Sequence, residues 1–352
     1  MTERSVQIDA VPAAALTAWL RAAVPDIPVG AGPVAVEQIS GGHSNLTYRI
    51  VDADGGAWAL RRPPTGMVLA TAHDMSREWR FIAALAPTPV PVAQPVAYCA
   101  DTDVIGAEFY VMRFVEGAVL NDVESGHELA AGDPRRTAGL QTVDVLADLH
   151  AVDPDAVGLG DLRRSGSYLD RQLRRWHRQV HESAVPDLST IDAAHERLVA
   201  RAATLPPSEV RIAHGDFRLG NLAVRPDGTV SAVFDWELAT LGDPLADLGW
   251  LMASWGRPGD VAPPTILGPN QVPGYPDGAE LVARYAARSG RNVADLDFYV
   301  AFARWRSACI GAGVYSRYEA GVMGRATTDG MGKERLEGIY RQSAAALAAL
   351  GG

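Results

Sequence analysis

His214-Gly215-Asp216-Phe217-Arg218-Leu219-Gly220-Asn221 is followed, after a short hairpin, by Phe234-Asp235-Trp236-Glu237. Residues 222–225 and 229–234 alternate as two short strands around Pro226-Asp227-Gly228. In that turn proline presets φ, the aspartate bonds the local backbone and glycine accepts positive φ. A loop that presents Asp216 therefore runs into a strand beginning near Asn221, and the hairpin returns Asp235 to the same end. Transfer of a phosphoryl group to a hydroxyl needs a carboxylate that orients the attacking O–H and takes its proton. It also needs oxygen ligands for the magnesium that clamps the phosphate. Asp216 suits the first task, and Asn221 and Asp235 suit the second. An Asp and an Asn in one loop are by themselves turn formers or caps, and the returning Asp235 is what argues for chemistry.

Upstream, residues 34–39 and 46–51 pattern as strands around Ser40-Gly41-Gly42-His43-Ser44-Asn45,. Asp54-Gly55-Gly56 closes a hairpin, and a third strand over 57–62 stops at Pro63-Pro64, where the ladder loses its N–H donors,. A helix over 75–85, with Trp79, Ile82 and Leu85 on an apolar face, a proline-studded loop over 87–95 and a strand ending in Phe109-Tyr110-Val111-Met112 complete a β-β-β-α-β-β order. Backbone N–H groups of a glycine-rich turn approach phosphate oxygens without side-chain hindrance. Gly41, Gly42, Ser44 and Asn45 are thus candidates to cover a phosphate. Strand periodicity puts Ala59 and Arg61 on one face and Trp58, Leu60 and Arg62 on the other,. Beyond Glu116-Gly117 the periodicity turns helical, over 137–150, 168–180, 191–202, 281–289, 296–312 and 334–350. The proline-rich segment 255–276 has the composition of a lid or mobile loop,.

The chain has 352 residues, 47% apolar and 21% charged, which is globular composition,. At roughly 150 residues per domain this length predicts about two domains. A formal charge of −10 leaves no sequence-wide footprint for nucleic acid,. No run of about 18 apolar residues offers a membrane span. The first residues lack the basic and apolar regions of a secretory signal,. Cys99 and Cys309 lie far apart without metal or redox spacing, so a cytoplasmic location is expected,. The single lysine is Lys333, and nearly all positive charge is arginine.

The HGDxxxxN loop with its hairpin and Asp-Trp-Glu resembles the aminoglycoside phosphotransferase family of small-molecule kinases. Within it, the likeness is to the branch of kinase domains associated with acyl-CoA dehydrogenases. The resemblance implies an α+β, two-lobed protein-kinase-like fold. Its N-terminal nucleotide-binding lobe, residues 1–115 with a helical extension over 1–33, would hold a five-stranded antiparallel sheet and one helix. A mainly helical lobe over 116–352 would carry the catalytic loop 214–221, the metal segment 235–237 and the acceptor site. The implied cofactors are ATP or GTP and Mg2+, with Asp216 as base and Asn221 and Asp235 as metal ligands. Arg61, after the Ala59-Leu60 step, stands where the family carries a phosphate-binding lysine, and arginine is no silent replacement,. Glu78 would be its partner, with Asp74 one turn earlier as the competing carboxylate. Arg113 and Val115, in Met112-Arg113-Phe114-Val115, would offer backbone groups to a purine edge. His214 would pack the loop, Asp247 would tie it, and Glu237 would either assist the metal or face solvent.

Arg163, Arg164, Arg171, Arg174, Arg175 and Arg178 outweigh Asp161 and Asp170 around one helix, and residues 251–352 hold eleven basic against nine acidic side chains. That balance favours a neutral or anionic hydroxylated acceptor, hydroxyacyl-CoA-like by resemblance, over a polycationic aminoglycoside. No nucleic acid or membrane partner is expected, and the sequence is silent on oligomeric state. Two rivals stand beside this: a kinase-fold nucleotide-binding regulatory protein without transfer activity, motivated by Arg61, and a true antibiotic kinase. A protein kinase fits less well, since HGD replaces HRD, Asp-Trp-Glu replaces DFG and no Ala-Pro-Glu segment follows,.

Overall fold

The strand Ala57–Arg62 lies at the middle of a five-stranded antiparallel sheet, and its alternation decides what each face of that sheet does. The structure is a computed structural model that describes residues 11–25, 27–39, 45–64, 74–255, 265–320 and 329–351. The chain divides into two bodies, one running to Glu116 with Ser231–Glu237 added, the other holding the remainder.

The first body begins with helix α1 (Ala13–Ala23), followed by β1 (Ala35–Gln38), β2 (Leu46–Val51), β3 (Ala57–Arg62), helix α2 (Met75–Leu85), β4 (Pro95–Cys99) and β5 (Phe109–Arg113). The sheet order is β1-β2-β3-β5-β4, with β2 and β3 in the register Tyr48 to Leu60 and Ile50 to Trp58. Trp58, Leu60 and Arg62 are all buried. Trp58 and Leu60 join Tyr48, Ile50, Phe109 and Val111 in a core that α1 covers with Leu16 and Leu20. Trp19 meets Phe109 edge-on at 4.7 Å. Asp74 caps α2 by accepting the Arg77 N–H at 3.0 Å, which removes it from competition for Arg61. The buried stripe of α2 is Met75, Glu78, Phe81, Ile82 and Leu85. Glu78 thus occupies a core position, while Trp79, expected there, is only half-buried against Tyr98 and Tyr110.

Residues 231–237 group with this body, a difference from the expected placement of 235–237 in the helical lobe. The Val233 N–H donates to the Pro91 carbonyl at 2.8 Å, the Ser231 hydroxyl to Glu116 at 3.1 Å, and Trp236 is buried with its indole N–H on the Val233 carbonyl.

The second body carries β6 (Ala118–Val119), α3 (Asp133–Ala151), α4 (Tyr168–His181), α5 (Ser189–Ala202), β7 (Arg211–Ala213), β8 (Leu222–Val224), β9 (Val230–Val233, which runs on into the first body), β10 (Thr240–Gly242), α6 (Pro244–Trp255), α7 (Gly278–Ser289), α8 (Leu296–Glu319) and α9 (Asp329–Ala349). Its core joins Leu169, Leu173, Trp176 and Val180 of α4 with Ile191 and Leu198 of α5 and Phe302, Trp305 and Cys309 of α8. Asp144 and Asp148 of α3 are bridged by Arg284 and Arg288 of α7, each at 2.7 Å. β7 pairs with β10, an element absent from the sequence expectation because three residues carry too little periodicity to read.

The expected lid over 255–276 is corrected for its described part. Asn270 donates to the Trp255 carbonyl at 2.8 Å and Trp255 to the Pro276 carbonyl at 3.1 Å, so residues 269–276 are pinned rather than loose. Residues 256–264 lie outside the described residues. Among the described residues no helix is long and apolar enough to cross a membrane.

Arg62 is buried and its Nη1 donates to the Ile105 carbonyl at 3.0 Å. Arg62→Ala strands that carbonyl and opens the packing under it, and is expected to cost about 2 kcal/mol in urea unfolding. An unchanged unfolding midpoint would show that the contact contributes nothing.

Candidate active site

The fifth residue of β3 projects from the face opposite the core. Arg61 donates through Nε to Glu78, with N–O separations of 2.9 Å to Oε1 and 3.2 Å to Oε2, and through Nη2 to Asp235 Oδ1 at 2.6 Å. One guanidinium therefore joins a carboxylate from α2 to one from the 231–237 segment, all within the first body. Asn45 lies beneath, buried, its amide on Glu78 Oε2 at 3.4 Å. Burial pushes the Glu78 carboxyl up to about 7, against the pull of Arg61 and with the help of the Asp235 and Glu237 charges. Tyr110 adds a smaller downward pull on the Glu78 carboxyl. Burial also works to lower the Arg61 guanidinium, but Glu78, Tyr110 and Asp235 outweigh it and hold the group above its ordinary value.

Asp235 has φ 63°, the one non-glycine residue at positive φ among the described residues. Left-handed backbone costs about 1–2 kcal/mol for most L-residues and least for Asn and Asp. Strain of this kind gathers where a side chain must be aimed, and here it aims a carboxylate at Arg61.

In the second body the loop from β7 is held at its backbone by one buried side chain. Asp247, on α6, accepts the His214 N–H at 2.6 Å through Oδ2 and the Gly215 N–H at 2.9 Å through Oδ1. His150 stands behind it, Nε2 at 3.4 Å from Oδ2, with its Nδ1 at 2.7 Å from the Tyr285 hydroxyl. Burial pushes His150 down. Burial would raise Asp247, but His150, His214 and the Gly215 N–H outweigh it and hold the carboxyl below its usual range. Gly215 sits at φ 85°, and a Cβ there would lie 2.7 Å from the Leu238 carbonyl oxygen. Its own carbonyl accepts from Arg306 at 2.8 Å.

The carboxylate this loop presents is gripped at both oxygens. Trp250 Nε1 donates to Asp216 Oδ1 at 2.7 Å. Asn221 Nδ2 donates to Oδ2 at 2.9 Å and to the Asp216 carbonyl at 2.7 Å, and Arg218 stands 3.6 Å from Oδ2. Asp247 and Trp250 are one turn apart on α6, so one helix face holds both the loop's backbone and the Asp216 carboxylate,. His214 is buried and accepts the Asp216 N–H through Nδ1 at 3.2 Å, a packing role as expected.

The structure thus brings Arg61, Glu78, Asn45 and Asp235 together in one body, and Asp216 and Asn221 together in the other. Gly41, Gly42 and Ser44 lie outside the described residues. Asn45 places its side-chain amide on Glu78. Ala59 shares the face of Arg61 opposite Met112. The expectation at Arg113 is corrected in one respect: its N–H is committed to the Gln94 carbonyl at 2.8 Å and is taken from any base edge. Val115 is half-buried after the end of β5. The donor role of Trp250 and the reach of Arg306 are not read from the sequence. The Asp247-Leu248-Gly249-Trp250 spacing was the available sign for the first, and nothing local marks the second.

Both bodies have the build of a small-molecule phosphotransferase of the protein-kinase-like fold. The chain belongs to the phosphotransferase enzyme family, whose profile matches residues 35–299. Acyl-CoA dehydrogenase family member 11 of Gallus gallus is 35% identical over 302 residues, covering 83% of this chain and 38% of that protein. Family member 10 of Mus musculus is 35% identical over 312 residues, covering 86% and 28%. The chain therefore spans well under half the length of these relatives. A crystal structure from Ralstonia eutropha, provisionally named an aminoglycoside phosphotransferase, matches with a TM-score of 0.78 at 33% identity, over 97% of this chain and 98% of that one. The GDP complex of aminoglycoside 2'-phosphotransferase-IIIa matches at 0.60 and 19% identity, over 95% and 99%. The amicoumacin kinase hAmiN, in complex with AMP-PNP, Ca2+ and Ami, matches at 0.54 and 16% identity, over 88% of each chain. These last two likenesses are of fold alone.

Trp250→Phe keeps a ring under Arg306 and removes the N–H on Asp216. Hydrogen bonds to charged groups are worth about 1.5–3 kcal/mol, so turnover is expected to fall about tenfold to a hundredfold with nucleotide affinity unchanged. Steady-state kinetics beside nucleotide titration check this, and wild-type turnover would remove Trp250 from the positioning of Asp216.

Proposed function

We propose that the chain transfers the γ-phosphoryl group of ATP or GTP, with Mg2+, to a hydroxyl of a small neutral or anionic acceptor, a hydroxyacyl-CoA-type thioester first among candidates. The observation that carries this is the grip on Asp216, a carboxylate fixed at both oxygens in a loop fixed at its backbone. Each carboxylate oxygen has a second lone pair, so Asp216 can still accept the acceptor's O–H and take its proton while Trp250 and Asn221 prevent it from turning away.

Asn221 spends its amide N–H on Asp216, which leaves the amide oxygen as a ligand. Asp235 meets Arg61 through Oδ1 and is 30% exposed. Both are hard oxygen donors that fit Mg2+. When bound, the metal neutralises phosphate charge. Arg61 uses Nε and Nη2 on carboxylates, and its five-donor fork keeps further N–H groups for phosphate oxygens,. Glu78, held by Asn45, fixes that fork in plane. The neighbours complexed with GDP and with AMP-PNP and Ca2+ support a nucleotide and a divalent metal here.

For the acceptor, positive charge gathers beside the Asp216 loop. Arg306 lies over Trp250 at 4.5 Å and Trp176 at 5.5 Å. Arg175 lies over the Trp176 ring at 5.2 Å. Burial, then Arg306 and Arg164, push the Arg175 guanidinium below its ordinary value. Like charges held at mutual cost favour an anion. The relatives named for acyl-CoA dehydrogenases supply the thioester.

A nucleotide-consumption assay over hydroxyacyl-CoA thioesters, neutral alcohols and aminoglycosides tests the proposal, with phosphorylated thioester the expected product. Aminoglycoside turnover alone would assign an antibiotic kinase, and binding without consumption would assign a regulatory protein. Within that assay Asp216→Ala is expected to lower turnover by about 10² to 10⁴ with nucleotide still bound. Asp235→Asn keeps shape but loses the charge that holds a hard cation, and should remove the Mg2+ dependence of nucleotide binding. Unchanged Mg2+ dependence would move the metal role to another carboxylate, Glu237 being the nearest in sequence.

A further inference from the structure

Helices α4 and α5 carry a cluster that phosphoryl transfer does not use. His177 and His181 stand one turn apart on α4 and share a helix face,, and Asp192 lies in the first turn of α5. Their polar atoms converge. The two Nε2 atoms are 3.2 Å apart, and Asp192 Oδ1 is 3.0 Å from that of His177 and 2.9 Å from that of His181.

Hydrogen bonds alone serve this triangle poorly. If both imidazoles donate to the carboxylate, two N–H groups crowd each other. If one gives up its proton to accept from the other, its lone pair faces a carboxylate lone pair. A cation removes the conflict, because three lone pairs can then point to one centre. Ligand bonds of about 2.0–2.1 Å separate neighbouring ligand atoms by about 2.9–3.4 Å between octahedral and tetrahedral angles, and all three separations fall in that window.

The surroundings hold the triangle in place. His195, also on α5, stacks flat against His177 with ring centroids 3.9 Å apart and planes 10° apart. It is backed in turn by Trp305 at 5.5 Å. The side chains of His177, His181 and Asp192 are 33%, 44% and 37% exposed, so an ion reaches them from solvent and water can complete its shell.

We propose that His177, His181 and Asp192 bind a borderline divalent transition-metal ion, Zn2+ foremost, that fastens α4 to α5. Two imidazoles and a carboxylate suit zinc, whereas Mg2+ seeks an all-oxygen shell. The role is structural. Between these two histidines and the N-terminal end of α4 lies Trp176, which stacks with the Arg306 that holds the Gly215 carbonyl, so the ion steadies the helix behind the Asp216 loop.

The test uses the tag-free full chain, stripped with chelator, titrated with Zn2+ by calorimetry and followed by thermal unfolding. One equivalent per chain is expected, with a rise in Tm of about 5 °C at hundredfold excess over Kd and neither effect from Mg2+. His181→Ala, at an exposed position, should keep the metal-free Tm and bind Zn2+ about tenfold or more weakly. Asp235→Asn should retain the equivalent, which separates this site from the metal of phosphoryl transfer. No equivalent in the wild type, or the same affinity in His181→Ala, would overturn the proposal.

Discussion

A single buried carboxylate organises the second body. Asp247 is 1% exposed and spends both oxygens on successive backbone N–H groups of the loop that carries Asp216. Burying a charge costs several kcal/mol unless it is paired and hydrogen-bonded. Asp247 meets that condition through His214, Gly215 and His150. Removing any partner leaves the charge short of a donor. Loop, α6 and the His150–Tyr285 pair are therefore one unit, and the position of Asp216 follows from it.

The first body depends on a different economy. In a chain with one lysine, the β3 cation is an arginine, and a planar fork can do what an ammonium on a flexible stem cannot,. Arg61 reaches Glu78 and Asp235 along different edges of the guanidinium. The buried Glu78 is tolerated on the apolar stripe of α2 because Arg61 and Asn45 both meet it.

Much of this was legible beforehand where a local rule applies. The strand 57–62 and the helix 75–85 follow from alternation, the flanking prolines and an apolar helix face, and the face assignment of Arg61 and Arg62 follows from the period of two. The choice of Glu78 over Asp74 rested on likeness, while the structure supplies the reason, since Asp74 is occupied as a cap. Trp79 was misplaced because an aromatic outranks a glutamate in any apolar count, although the stripe runs through the glutamate. What stayed hidden is long-range. The Gln94 carbonyl on Arg113, the packing of 231–237 with the first body and the reach of Arg306 to Gly215 join positions with no common period.

The arginine at position 61 has a last consequence, in reactivity rather than geometry. A lysine there would be an amine, open to acylation by any activated thioester and able to lose its charge on desolvation. A guanidinium does neither within the range in which proteins stay folded. With Lys333 the sole side-chain amine in the chain, the central cation of the β3 face cannot be modified by acyl donors, and its charge is constant wherever the chain is placed.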